Sequence, residues 1–108
     1  MSAKSLQFTA YFSKLPSTVQ QVVKQIIETA QPESIILFGS RARGDHRGNS
    51  DFDFCIKGRK SSNENWNRWL VDFQEKSLSL FSVDIVEMEK LNKDYLASVK
   101  KEGIKIYG

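Results

Sequence analysis

Three acidic residues and one Gly-Ser pair are the parts of this chain whose types and spacing could do chemistry. Asp51 and Asp53 stand two apart in the run Asp51-Phe52-Asp53-Phe54-Cys55-Ile56-Lys57, in which aromatic or aliphatic residues fill the alternate places. In an extended strand Phe52, Phe54 and Ile56 point one way, and Asp51, Asp53 and Cys55 the other. Two carboxylates side by side are hard oxygen ligands that suit Mg²⁺, an ion that keeps several waters and binds substrate phosphates. A pair of such ions would neutralise a triphosphate and polarise its α-phosphate.

Gly39-Ser40 closes the apolar run Ser34-Ile35-Ile36-Leu37-Phe38. Gly39 permits a backbone turn that a Cβ would obstruct, and the residues after Ser40 can begin a helix whose free N–H groups attract phosphate, with the Ser40 hydroxyl as a further donor. Asp84 sits inside Phe81-Ser82-Val83-Asp84-Ile85-Val86. Sheet pairing that brings it beside the other two acids would let it complete the ligand set or take the proton from an attacking hydroxyl. Each feature also has a plain structural reading. A Gly-Ser after a strand is commonly just a turn, and alternating aspartates are commonly a solvated face. Asp84 is harder to dismiss, because a carboxylate enclosed among apolar residues is costly unless a cation or donors meet it.

The elements that must position these residues follow from periodicity. Leu15-Pro16-Ser17 announces a helix on which Val19, Val22, Val23, Ile26, Ile27 and Ala30 share one face, and Gln31-Pro32 ends it. Ser34 to Phe38 reads as a strand buried on both faces. Gly39 to Ser50 leaves room for one or two helical turns and a loop, and Asp51 to Lys57 is the second strand. Trp66, Trp69, Leu70 and Phe73 mark the inner side of another helix. Phe81 to Val86 is a third strand. A helix over about Leu91–Lys101 follows, with Leu91, Tyr95, Leu96 and Val99 as its apolar side and Gly103 as its stop. Ile104-Lys105-Ile106-Tyr107 is a short edge strand. The order predicts an α/β fold, a small mixed sheet flanked by helices, in one domain over residues 1–108 without internal repeats or linkers.

Composition narrows the class further. Apolar residues form 40% of the chain, too many for a disordered protein. The formal charge of +3 leans weakly toward anionic partners. A lone cysteine, Cys55, forms no internal disulfide, and no Cys/His cluster has zinc-ligand spacing. With neither a signal-peptide core nor a run long enough to span a bilayer, the expected location is the cytoplasm and no membrane contact is expected.

Other residues weigh toward structure. Arg41, Arg43 and Arg47 could clamp phosphate, though a solvated basic loop is nearly as good a reading; Arg43 is expected to be the less exposed. His46, alone among polar residues, receives no metal or base role. Cys55 reads as packing. Trp66 and Trp69 could stack a nucleobase, but their spacing favours the core. Lys57, Arg59 and Lys60 form a basic turn, either solvated or facing an acidic partner or nucleic acid.

Gly39-Ser40, ten intervening residues, then Asp51-Phe52-Asp53 resembles the signature of the DNA polymerase β-like nucleotidyltransferase superfamily. Phe38-Gly39-Ser40-Arg41-Ala42-Arg43-Gly44 is similar to its small prokaryotic branch, the minimal nucleotidyltransferase (MNT) family. The leading helix, the strand with Asp84 and the closing Glu102-Gly103-Ile104-Lys105-Ile106-Tyr107 extend the likeness over nearly the whole chain. The resemblance implies a palm-like fold in which Asp51 and Asp53 bind two Mg²⁺ ions and Asp84 is the third carboxylate. Gly39 and Ser40 would hold the β- and γ-phosphates of ATP or another nucleoside triphosphate, and Arg41 or Arg43 would touch phosphate or acceptor. It further implies an antitoxin that transfers a nucleoside monophosphate, AMP foremost, to a hydroxyl on a HEPN-domain toxin encoded nearby, or on RNA.

No separate base-binding or acceptor-binding domain follows the sheet, so the partner or a second copy is expected to supply one; an uncovered edge strand would favour such pairing. A rival from another class is a catalytically silent module that neutralises its toxin by contact. Nonspecific nucleic-acid binding fits the small net charge poorly.

Overall fold

The computed structural model describes residues 7–45, 47–48, 50–76 and 81–108. His46 therefore lies outside the described residues, as does the chain before Gln7.

Helix α1, Ser17–Ala30, buries Val19, Val22, Val23, Ile26, Ile27 and Ala30, the six residues that helical spacing placed on one face. It ends at Gln31, whose φ of 51° is left-handed and whose N–H donates to the Ile27 carbonyl, just before Pro32. Strand β1, Ser34–Phe38, is followed by the single-turn helix α2, Ser40–Arg43, and by strand β2, Phe52–Lys57. Helix α3, Asn63–Lys76, leads to strand β3, Val83–Glu87. A 3-10 turn, Met88–Lys90, then precedes helix α4, Lys93–Glu102, and strand β4, Ile104–Tyr107. The Asn92 side chain caps α4 by accepting the Tyr95 N–H at 2.8 Å, which sets the start two residues later than periodicity suggested.

The strands form one sheet in the order β3-β2-β1-β4. β1 runs antiparallel to β2 and β4, whereas β2 and β3 are parallel. A parallel neighbour needs a crossover, and α3 supplies it. The expected mixed α/β architecture is thus the observed one.

Alternation splits the sheet into two unlike faces. Ile35, Leu37, Phe52, Phe54 and Ile56 face the main core with α1 and α3, joined by Trp66, Phe73 and Ile106. Trp66 is buried and Trp69 half-buried; their rings stack at 5.2 Å, and Trp69 stacks on Phe73 at 5.0 Å. This is core packing, as the spacing favoured. The other face carries a smaller cluster of Phe38, Cys55 and Val99, with Ile36, Val86, Met88 and Leu91 against it.

Two features were not foreseen. The segment ahead of α1 is a 3-10 helix, Ala10–Lys14, and Phe8, Tyr11 and Phe12 pack on the core. Phe8 bridges Tyr107, and the Thr9 N–H donates to the Ile106 carbonyl at 2.9 Å, so the β4 edge is partly covered. β3 forms the opposite edge. Gly103 stops α4 without a left-handed turn: a Cβ there would collide with the Val99 carbonyl oxygen and lie 2.5 Å from Ile36 Cγ2. Its role is close approach between helix end and sheet.

Candidate active site

The second face of the sheet is built in rows that the strand register defines. One row runs Val86–Cys55–Ile36, and the next runs Asp84–Asp53–Phe38. Directly opposed residues on neighbouring strands project to the same side. α4 and its preceding turn lay Val99, Met88 and Leu91 over the first row. The second row stays open at its carboxylate end, where Asp84 is exposed and Asp53 half-buried. Asp51, exposed, enters from the loop just before β2.

Of the three acids that sequence spacing singled out, Asp84 is set beside Asp53 by the strand register and Asp51 is near enough for its charge to act on Asp53. Asp84, however, is not enclosed among apolar residues as its strand context suggested. It lies on the outermost strand, with β2 on one side only, so its cost in isolation is small. The electrostatic cost falls instead on Asp53. Burial pushes its carboxyl above the ordinary range, Asp84 and then Asp51 push it further, and Arg43 opposes them. None of the three forms an ion pair or accepts a hydrogen bond from another described residue. Among the described residues no three His, Cys, Asp or Glu side chains are grouped closely enough to hold a metal ion by themselves. The donors form an open floor, a fit for Mg²⁺, which takes one or two carboxylates and fills its remaining positions with waters and phosphates.

Gly39 hangs over this floor. Its φ of 77° and ψ of −158° belong to glycine, and a Cβ would sit 2.5 Å from Asp53 Oδ2. The first helical bonds of α2 are donated by Ala42 and Arg43 to the Gly39 carbonyl, which leaves the Ser40 and Arg41 amides without an intrahelical acceptor. Free amides and concentrated carboxylates thus stand beside one another, suiting the two charges of a metal-bound phosphate.

The arginines fall out differently from expectation. Arg41 does not face the floor freely: its guanidinium donates to the carbonyls of Gly48 at 3.2 Å and Ser50 at 3.1 Å, and lies 4.2 Å from the centre of the Phe52 ring. It ties down the loop that delivers Asp51. Arg43 donates to Asp45 at 3.1 Å and Glu102 at 3.0 Å, joining α2 to α4, and it is the more exposed of the two. The expected order of exposure is reversed because Arg41 lies against aromatic rings. Arg59, expected in a solvated or partner-facing basic turn, is only 9% exposed and donates to Glu87 at 2.7 Å, the Ser61 carbonyl at 2.6 Å and Asn63 at 2.5 Å. It is fully engaged. Cys55 is buried, and burial followed by the charge of Glu89 pushes its thiol up to about 11, so packing is its role.

Sequence reasoning missed Tyr95. Helical spacing assigned it to the apolar side of α4, yet it is 46% exposed, with its ring edge-on to Phe38 at 5.8 Å. The signal was available only in part: the phenol is amphipathic, but its exposure depends on where α4 ends up relative to the acid row. Hollows lined by Gln31, Glu33, Lys60 and Tyr107, and by Tyr11, Lys14, Leu37 and Arg41, contain none of the three acids.

An open carboxylate floor under a glycine turn, carried on a short mixed sheet, defines a class that comparison with known proteins identifies. Residues 19–107 match the nucleotidyltransferase domain family. A toxin–antitoxin structure with AMP-PNP superposes with a TM-score of 0.67 at 22% identity, covering 86% of this chain and 74% of that one. A mutant of the toxin–antitoxin pair MntA–HpeT with two Asp-to-Glu substitutions gives 0.63 at 22%, covering 82% and 70%. A protein assigned as a minimal nucleotidyltransferase gives 0.62 at 23%, covering 86% and 93%. A search of curated proteins gave no match. The chain belongs to the nucleotidyltransferase domain family, and its fold is that of the minimal nucleotidyltransferases.

Proposed function

We propose that this protein transfers a nucleoside monophosphate, AMP from ATP foremost, to a hydroxyl of a partner toxin, and so serves as the antitoxin of a toxin–antitoxin pair. The observation that carries the reading is the juxtaposition of Gly39 with the Asp53 carboxylate, on which Asp84 and Asp51 both act. Two features of the structural relatives support it. One contains AMP-PNP, and in the MntA–HpeT mutant the substituted aspartates fall two positions apart, the spacing of Asp51 and Asp53.

In this reading Asp51 and Asp53 hold magnesium, with Asp84 as the third carboxylate. Bound there, the metal would neutralise triphosphate charge and make the α-phosphorus more electrophilic. The turn at Gly39 and Ser40 binds the β- and γ-phosphates through its free amides and the Ser40 hydroxyl. Asp84, exposed on the outer strand, is reached first by an incoming hydroxyl and takes its proton. The acceptor oxygen bonds to the α-phosphorus as the bond to the bridging oxygen breaks, and pyrophosphate leaves. Arg41 serves by fixing the loop that carries Asp51, and Arg43 by tempering the charge at Asp53. The acceptor is a HEPN-domain toxin or an RNA, reached from the β3 side, where a second copy could also pair. No described helix is long and apolar enough to cross a membrane. A cytoplasmic site of action, where nucleoside triphosphates are supplied, is part of this proposal.

The test is incubation with Mg²⁺, α-labelled ATP and the neighbouring gene's product, with Asp53→Ala as control. Mass added to the partner in one nucleoside-monophosphate unit and absent from the control is the expected result. No label on protein or RNA, with wild type and variant binding the partner equally, would replace the reading with neutralisation by contact alone.

A further inference from the structure

The acid row ends on an aromatic corner. Phe38 is the cross-strand neighbour of Asp53, with its ring on the same side of the sheet, and Tyr95 of α4 stands edge-on to it at 5.8 Å and 79°. Neighbouring strands lie about 4.8 Å apart, so the Tyr95 ring stands within roughly 10 Å of the Asp53 carboxylate. A metal, an α-phosphate and a ribose fill such a span. Of the apolar side of α4, Val99 is buried and Leu96 partly buried, whereas Tyr95 keeps 46% of its surface in water. Its contact with Phe38 is made edge-on and leaves much of the ring uncovered. Phe38 itself is buried under Val99 and Tyr95, so it braces the tyrosine and has no free face of its own.

We propose that Tyr95 is the platform on which the base of the bound nucleotide stacks, an inference that rests on the nucleotidyl-transfer reading of the carboxylate site. A flat π-face suits any nucleobase, so the platform binds the base ring without selecting adenine by hydrogen bonds. The turn at Gly39, which follows Phe38, would hold the phosphates and Tyr95 the base, both at the β1 end of the acid row.

Binding of Mg-ATP and of Mg-tripolyphosphate, which has no base, separates this inference from the reading beneath it. Wild type, Tyr95→Ala, Tyr95→Leu and Tyr95→Phe are compared by titration calorimetry, with folding followed by circular dichroism. Tyr95→Leu preserves apolar bulk against Phe38 but has no ring face. The Ala and Leu variants should bind Mg-ATP about tenfold more weakly and Mg-tripolyphosphate as wild type does, while Phe stays within about twofold for both. Mg-GTP should show the same loss. Unchanged ATP affinity in the Leu variant, or an equal loss for ATP and tripolyphosphate, overturns the platform and leaves the nucleotidyltransferase reading intact. Wild type that is folded yet binds neither ligand removes both.

Discussion

Two carboxylates, Asp53 and Glu87, sit in the same small sheet and are treated in opposite ways. Glu87, at the end of β3, is 13% exposed and bonded to Arg59 at 2.7 Å and Lys90 at 2.9 Å. Burial alone would raise its pKa, but the hydrogen bonds from Lys90 and then Arg59 outweigh it and hold the carboxyl below its ordinary value. Asp53 is half-buried too, yet its neighbours are Asp84 and Asp51, and its carboxyl is held above the ordinary value. Where the chain supplies its own cations, the charge helps to hold the fold together. Where it supplies further anions, the carboxylate's charge is disfavoured, and it is there that the proposed function puts an external cation.

The largest effect expected from breaking this contrast is chemical. Asp53→Asn should lower nucleotidyl transfer by about a thousandfold, the loss of several kcal/mol of metal-assisted stabilisation, measured as label transferred per minute. Without metal the same variant should melt higher than wild type. A carboxyl whose folded pKa lies above its unfolded value binds protons more readily when folded, so the folded state is penalised above that range and relieved as the pH falls through it. A lower melting temperature for Asp53→Asn in EDTA would mean the acid group is not strained.

Gly39→Ala should come next, costing about a hundredfold in turnover, because the new methyl group meets Asp53 Oδ2 and displaces the carboxylate proposed to hold the metal. Normal activity in this variant would show that the turn and the acid need not touch.

At the self-neutralised carboxylate the effect should be on stability alone. Arg59→Ala should cost about 2 kcal/mol in urea unfolding and leave Mg-ATP affinity unchanged. Because the folded pKa of Glu87 is depressed, the contribution of the pair is present above the ordinary glutamate value of 4.5 and is lost as the pH falls through the lower folded one. The wild-type advantage over Arg59→Ala should therefore shrink below about pH 4.5. An advantage that persisted at pH 3 would point to Arg59 packing and its bonds to Ser61 and Asn63 instead.

The smallest expected signal is at Cys55, in the row next to Asp53 but roofed by α4. A thiol pushed up to about 11 should resist alkylation at neutral pH until the protein unfolds. Fast labelling of native protein by iodoacetamide would mean that α4 lifts from the sheet.

The sequence alone determined the parts whose cause is local. Helical spacing put Val19, Val22, Val23, Ile26, Ile27 and Ala30 on one face, and all six are buried. Alternation placed Asp53 and Cys55 opposite Phe52, Phe54 and Ile56, and the strand keeps that division. Side-chain direction in a helix or strand follows from backbone geometry within a few residues, so a pattern in the chain suffices.

Exposure, partnership and proximity between elements are set elsewhere. Asp84 is open because β3 is the outer strand, a matter of sheet order that strand sequence does not encode. Arg59 is neutralised because β3 ends beside it, 28 residues further along the chain. Arg41 is withdrawn from phosphate because the loop that it helps to close returns over its own guanidinium. Tyr95 stays in water because α4 roofs the row of Cys55 and covers only the Phe38 end of the row of Asp53. Each depends on the energy of packing one whole element against another, and that sum exists only once the chain has folded.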